Sequence, residues 1–298
     1  MTKSKTQPKL DQKLKSELRN KVILITGGAG SIGSVLVKKL LDYPIKSVRV
    51  FDNNEYNLFK LGRLIKNSKL RLLQGSIKDK ERLEIACNDV DIIIHTAAVK
   101  NIEITEFNPI ETIDVNINGT VNLIKTAIKL KPKKFLNIST DKAADSSTLY
   151  GTTKQLGERL TSWAGNHIET TKFASVRFGN VIESRGNVFE IWNEEKKKNK
   201  PLTITDPDMK RYFFHVEDAA NFILQCLSLI NNGEVFIPKM KLYKIKDLAN
   251  KISKKHNITG LRQGEKFEEI LITDNEKAKC IEKKGMWIIY PYKISNNK

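Results

Sequence analysis

What the chain lacks narrows it first. No apolar run approaches the roughly 18 residues that a membrane-crossing helix needs. The opening MTKSKTQPKLDQKLKSELRN has no apolar stretch, so no secretory signal and no membrane span are expected. Cysteine is scarce: Cys87, Cys226 and Cys280 are far apart and odd in number, which argues against a disulfide framework and for reduced thiols in a cytoplasmic protein. The cysteines and the four histidines show no CxxC or HxxxH spacing, so no metal site is expected. Internal repeats and low-complexity segments are missing too. Acidic residues are in deficit, 34 against 52 Lys and Arg, for a net charge of +18. The lysines are scattered and lack interleaved aromatic platforms, so they read as a solvated surface and no nucleic-acid partner is expected. Such a field would also help to attract a diphosphate-bearing ligand.

What is present is a core and a rhythm. Apolar residues make up 40% of 298, enough for one large or two intimately joined domains. Residues 1–20 are polar and lysine-rich and read as a basic tail or a short leading helix. Then KVILIT (21–26), SVRVFD (47–52), KLRLLQG (69–75), DIIIHTAA (91–98) and KKFLNIST (133–140) read as strands. Segments of helical spacing fall between them: SIGSVLVKKLLDY (31–43), EYNLFKLGRLIK (55–66) and the longest at 109–130. Strand–helix alternation predicts an α/β fold, a doubly wound parallel sheet with right-handed crossovers and helices on both faces. Beyond about residue 180 the rhythm breaks into shorter pieces. Residues 21–180 are therefore expected to bind a dinucleotide, and 181–298 to form a smaller substrate-binding portion.

TGGAGSIG (26–33) follows the first strand and opens the first helix, with Gly27, Gly30 and Gly33 at GxxGxxG spacing. Glycines there permit a tight turn, close approach of backbone to a pyrophosphate and close helix–sheet packing. The helix N-terminus adds free N–H groups and partial positive charge. Asp52 ends the second strand about 20 residues on, where a carboxylate accepts hydrogen bonds from ribose hydroxyls and repels a 2′-phosphate. NNEYN follows it without an arginine, so NAD is favoured over NADP. Tyr150 and Lys154 form a YxxxK pair in LYGTTK, on one face of a helix if helical. A neighbouring ammonium is expected to bring the phenol toward neutrality as a base.

With these motifs in place, the chain resembles the extended short-chain dehydrogenase/reductases, and among them the polysaccharide-biosynthesis UDP-N-acetylglucosamine 4,6-dehydratases. TGGAGSIG (26–33), HTAAVKN (95–101), EFNPIETIDVNINGT (106–120), STDKA (139–143), YGTTK (150–154), VRFGNVIESRGNV (176–188), ITDPDMKRY (204–212) and RQGEKFEE (262–269) carry the likeness in order along the chain. The resemblance implies a Rossmann fold and NAD held by Gly27, Gly30, Ser31, Ile32, Gly33, Asp52, Ala97, Ala98, Tyr150 and Lys154. It implies that Tyr150 removes the C4 hydroxyl proton during oxidation, that Thr140 hydrogen-bonds that oxygen, and that Lys154 holds the tyrosine and the nicotinamide ribose. Lys142 is then the base at C5 and Asp141 the acid at the departing C6 hydroxyl. Lys100, Asn180, Arg185, Arg262 and Glu265 are implied as ligands of a UDP-sugar, with Asn116 lining the site. The product would be a 4-keto-6-deoxy sugar for surface glycan synthesis, made by a homo-oligomer. A 4-epimerase of the same fold would use Tyr150 and NAD without the Asp141–Lys142 elimination, and a non-catalytic dinucleotide-binding regulator would need neither. The chain departs from the family at Ser76, where an acidic residue near the adenine is usual, and at AADSST (143–148), which lacks a Pro-containing loop.

Overall fold

The structure, a computed structural model, describes residues 7–262 and 264–291. The first six residues of the basic leading segment, Gln263 of RQGEKFEE and residues 292–298 lie outside the described residues. Six strands come first: β1 (Val22–Thr26), β2 (Ser47–Asp52), β3 (Leu70–Gln74), β4 (Ile92–His95), β5 (Lys134–Ile138) and β6 (Lys172–Val176). They pair in parallel in the order β3-β2-β1-β4-β5-β6. Successive side chains of a strand point to opposite faces, so a sheet covered on both sides requires continuous apolar runs. In β1, Ile23 and Ile25 join one core cluster, while Val22 and Leu24 join the other.

The crossovers supply both covers. Helix α1 (Gln7–Leu18) leads into β1, and α2 (Ser31–Leu41) follows it. Next come α3 (Glu55–Leu64) and α4 (Lys80–Cys87). Helices α5 (Ile102–Phe107) and α6 (Pro109–Ile113) precede a π-helical turn at Asp114–Asn118, which runs into α7 (Gly119–Leu130). Helix α8 (Leu149–His167) then leads to β6. The segment expected as a tail or short leading helix is α1, with Leu14 and Leu18 buried in the core.

Beyond residue 180 the pieces are shorter: β7 (Asn180–Ile182), α9 (Val188–Lys197), β8 (Leu202–Ile204), β9 (Lys210–His215), α10 (Val216–Leu227), β10 (Glu234–Pro238), β11 (Leu242–Lys244), α11 (Ile245–Asn250), β12 (His256–Ile258), α12 (Asp274–Lys277), β13 (Cys280–Lys283) and β14 (Met286–Ile289). Some of them build a small separate core around Trp192, Leu202, Ile204 and Met209. Others return to the main body. β10 adds in parallel to β6, and β14 and β13 follow antiparallel, extending the sheet to nine strands. Helix α10 packs against α2 and α1. Among the described residues no helix is long and apolar enough to cross a membrane.

Candidate active site

A cavity of about 740 Å³ opens at the carboxyl ends of β1, β4 and β5 and reaches into the pieces beyond β6. Ligands of open α/β sheets bind at such strand ends. Its floor begins at the glycine loop. Gly27 has φ +67°, and a Cβ there would lie 2.7 Å from the Cα of Ala97. A Cβ on Gly33 would lie 2.5 Å from the Cα of Gly28, so only glycine lets α2 sit this close. No side chain caps α2 at Gly30, which leaves its first N–H groups facing the cavity floor. Ser31, Ile32, Ala97 and Ala98 line the same end.

Asp52 is buried, and its carboxylate accepts from the backbone N–H of Ala29 and of Asn54, both at 3.0 Å. It therefore ties the glycine loop to the end of β2. It does not cap α3, a role taken by Asn54. The loop, the uncapped helix and the Asp52 carboxylate together line one end of the cavity.

Thr140, Lys142, Tyr150 and Lys154 line the middle of the cavity. The segment after β5, ending in a short helical turn at Asp141–Ala143, delivers the first two, and the first two turns of α8, capped by Thr148, deliver the others. Burial pushes the Tyr150 phenol up to about 12; Lys142 and a hydrogen bond with Thr140 oppose the rise and Asp141 adds to it. The expectation that an adjacent lysine brings this phenol toward neutrality is thus corrected for this state. Burial outweighs the pull of Lys142, whose charge is shared with two carboxylates. Lys154 pays the same burial: its pKa falls to about 8 against a small opposing pull from Glu158.

Asp141 departs from expectation in a second way. Its side chain is wholly buried and does not line the cavity. The backbone fixes it there, because its N–H donates to the carbonyl of Phe178 and Gly179 packs against Oδ2. Oδ1 accepts from Thr140 Oγ1 at 3.0 Å and from Lys142 Nζ at 3.1 Å, while Oδ2 is buried without a hydrogen-bond partner. Lys142 also meets Glu269 Oε1 at 3.5 Å. Burial works against the Lys142 charge, yet Asp141 and Glu269 hold its pKa above the ordinary lysine value.

The far end brings distant segments together. The Arg185 N–H donates to Ser31 Oγ at 3.0 Å, and Lys100 Nζ donates to the Arg185 carbonyl at 2.8 Å. Asn180 lines the wall and donates to the Tyr212 carbonyl. Arg262 and Glu265 reach the rim with their charges engaged: Arg262 pairs with Glu103 at 3.1 Å, and Glu265 accepts from the Arg262 N–H. Asn116 is not on the cavity surface. It sits in the π-helical turn, where its side chain bonds both backbone groups of Val99 and the Thr153 hydroxyl, bracing the β4 loop against α8. Ser76 lines the cavity edge. Among the lining residues that the sequence reading did not single out are Arg211 and Glu269, each in a quoted stretch but with no spacing to mark it.

The family model for polysaccharide biosynthesis proteins matches residues 23–291. A protein of Methanocaldococcus jannaschii described as a membrane protein is 39% identical, covering 96% of this chain and 91% of that one. An inverting UDP-N-acetylglucosamine 4,6-dehydratase of Campylobacter jejuni is 37% identical over 91% of this chain and 83% of its own. Among solved structures, Pen from Bacillus thuringiensis superposes with a TM-score of 0.88 at 36% identity, covering 92% of this chain and 89% of that one.

Proposed function

The chain belongs to the polysaccharide biosynthesis protein family of extended short-chain dehydrogenases, and from that premise we propose that it dehydrates a UDP-linked N-acetylhexosamine, such as UDP-N-acetylglucosamine, to its 4-keto-6-deoxy derivative. NAD is the cofactor in this reading. The glycine cradle, the N-terminus of α2 and Asp52 would hold it, and when bound it supplies the hydride acceptor for C4 and the donor for C6.

The observation that carries the proposal is the buried Asp141–Lys142 pair beside Tyr150. Oxidation at C4 alone, as in a 4-epimerase, calls for a base on the C4 hydroxyl and no more. Elimination of water across C5 and C6 calls in addition for a base and an acid, and a carboxylate and an amine in contact can exchange one proton between those roles. In this reading Tyr150 takes the C4 hydroxyl proton, with Thr140 hydrogen-bonded to the same oxygen. Lys142 takes the C5 proton. Asp141 lies one layer behind the wall, so its proton reaches the C6 oxygen through the Thr140 hydroxyl that touches it. Lys154 orients Tyr150 and the cofactor ribose. Arg185 and Arg262 stand at the far end, where guanidinium groups suit the diphosphate. Lys100 and Asn180 shape the sugar side.

We also read the protein as a homo-oligomer, a reading supported by Phe107 and Ile110, apolar yet 84% and 78% exposed on neighbouring helices. Incubation with UDP-N-acetylglucosamine and NAD followed by mass analysis tests the reaction. A product lighter by one water is expected; a new isomer of unchanged mass would establish epimerisation instead. Turnover in deuterated water should place deuterium at C5, and turnover without it would overturn the dehydratase reading.

A further inference from the structure

Lys142 is faced by more carboxylate than an ion pair needs. Glu269 is 5% exposed and lines the cavity from the segment after the Gly264 turn, far downstream of β5. Its backbone is pinned on both sides. The Phe267 carbonyl accepts from the Lys210 N–H at 2.7 Å and from Arg211 Nη1 at 3.3 Å, and the Leu271 carbonyl accepts from Arg177 Nη1 at 2.9 Å. Earlier in the segment, the Gly264 carbonyl accepts from Ser147 Oγ, and Lys266 pairs with Asp145 at 2.6 Å. A stretch anchored to β9, to Arg177 and to the loop before α8 therefore carries Glu269 to within 3.5 Å of Lys142 Nζ. Burying two carboxylates around one ammonium is costly where a single partner would satisfy it.

We propose that Glu269 is a positioning residue for the elimination: with Asp141 it fixes the Lys142 amine against C5 and makes it the stronger base. The proposal rests on the dehydratase reading above. The proton balance closes within the site. At rest Lys142 is an ammonium and Asp141 a carboxylate. One proton passes from Nζ to Asp141, giving an amine and a carboxylic acid. The amine then takes the C5 proton, the freed electron pair forms the C5–C6 double bond, and the C6–O bond breaks. The leaving hydroxyl departs as water with the proton from Asp141, and the resting pair is restored. Glu269 takes no part in the proton transfer and, 3.5 Å from Nζ, stabilises the ammonium that forms when C5 is deprotonated. The other charged or titratable groups facing Lys142 are Asp141 from its own loop, Arg211 from β9 and Tyr150 from α8.

The test is the pH dependence of C5 hydrogen exchange, followed in deuterated water on the full chain with UDP-N-acetylglucosamine and NAD. Reduced-nicotinamide absorbance reports the C4 step in parallel. Activity needs one proton on the Asp141–Lys142 pair, so exchange fails at high pH as that proton is lost. Glu269→Gln keeps the shape and removes the charge. An opposite charge this close moves a pKa by about one unit or more. The high-pH limb of the variant should therefore move down by about one unit and C5 exchange should slow about tenfold, with C4 oxidation unchanged. Glu269→Asp, whose charge is withdrawn by one methylene, should place the limb between parent and Gln variant. An unmoved limb in Glu269→Gln, or equal slowing of the C4 and C5 steps, overturns the proposal. Should the Gln variant not fold, a Glu269→Asp protein with the limb and rate of the parent overturns it. A parent enzyme that turns over without exchanging C5 instead refutes the dehydratase reading itself.

Discussion

Tyr150 and Lys154 show how burial and charge compete inside one helical turn. Desolvation raises the phenol and lowers the amine, so each group is moved toward its neutral form. Tyr150→Phe keeps the ring and removes the ionisable oxygen. A loss of about 10²–10⁴ in turnover is expected, with an unaltered melt and unaltered cofactor binding; near-normal turnover would mean that another group takes the proton. Lys154 has a consequence for stability. Its folded pKa of about 8 lies below the ordinary lysine value of 10.5, so between these values the unfolded chain binds more protons. The penalty of burying its charge is then complete below pH 8 and relieved as pH rises toward 10.5. Lys154→Met should accordingly stabilise the fold relative to the parent by on the order of 3 kcal/mol near pH 7, an advantage fading by about pH 10.5. Denaturant titrations of both proteins across that range check the sign. The YxxxK pair was legible from its spacing. The protonation balance was not, because burial sets it first, with Lys142 and Asp141 acting on the phenol and Glu158 on the amine, and burial depends on the folded packing rather than on any local spacing.

Elements were legible where their periodicity is local. β1, β2 and β5 fall within the apolar runs that announce them, and α2 starts where the glycine loop ends. The span 109–130 reads as one helix, and the structure keeps it nearly continuous while inserting a π-helical turn at Asp114–Asn118. That turn is invisible to a 3.6-residue pattern, yet it directs Asn116 onto the β4 loop rather than to the cavity surface. The leading segment was obscured by its lysines. Among the described residues of this segment Leu14 and Leu18 are buried against the core, and they lie one helical turn apart. Leu18→Ala should cost about 2–5 kcal/mol, the range for deleting a buried leucine side chain. A chemical-denaturation midpoint indistinguishable from the parent would show that α1 contributes nothing to the body of the protein.

At the scale of the whole molecule, sequence order and spatial order part company after β6. Pattern reading separates a dinucleotide-binding part from the shorter pieces beyond residue 180, and that division remains our proposal for how the work is shared. Assembly runs across it, since β10, β13 and β14 extend the same sheet. The tie with the clearest energetic signature is Arg177, 2% exposed at the end of β6. It forks onto Glu158 of α8 at 2.6 and 3.0 Å and onto Glu276 of α12 at 2.8 and 2.9 Å. Burial alone would raise the Glu276 pKa, but Arg177 holds it below the ordinary glutamate value. A depressed carboxylate contributes stability above its unfolded pKa and loses it as pH falls through the folded one, so this link should weaken only under acid. Arg177→Leu leaves Glu158 buried without its cation, and removing one partner of a buried pair costs about 3–5 kcal/mol. If the two parts form one cooperative body, the whole loss should appear in a single transition, monitored, in a background with Trp163 and Trp287 replaced by Phe, by Trp192 fluorescence in the small core and by far-ultraviolet circular dichroism for the sheet. Glu158→Gln added to Arg177→Leu should recover part of it, because the stranded charge is then gone. Two separated transitions, with only the fluorescence signal displaced, would mean that the pieces beyond residue 180 unfold on their own and that Arg177 secures a docked domain rather than a shared core.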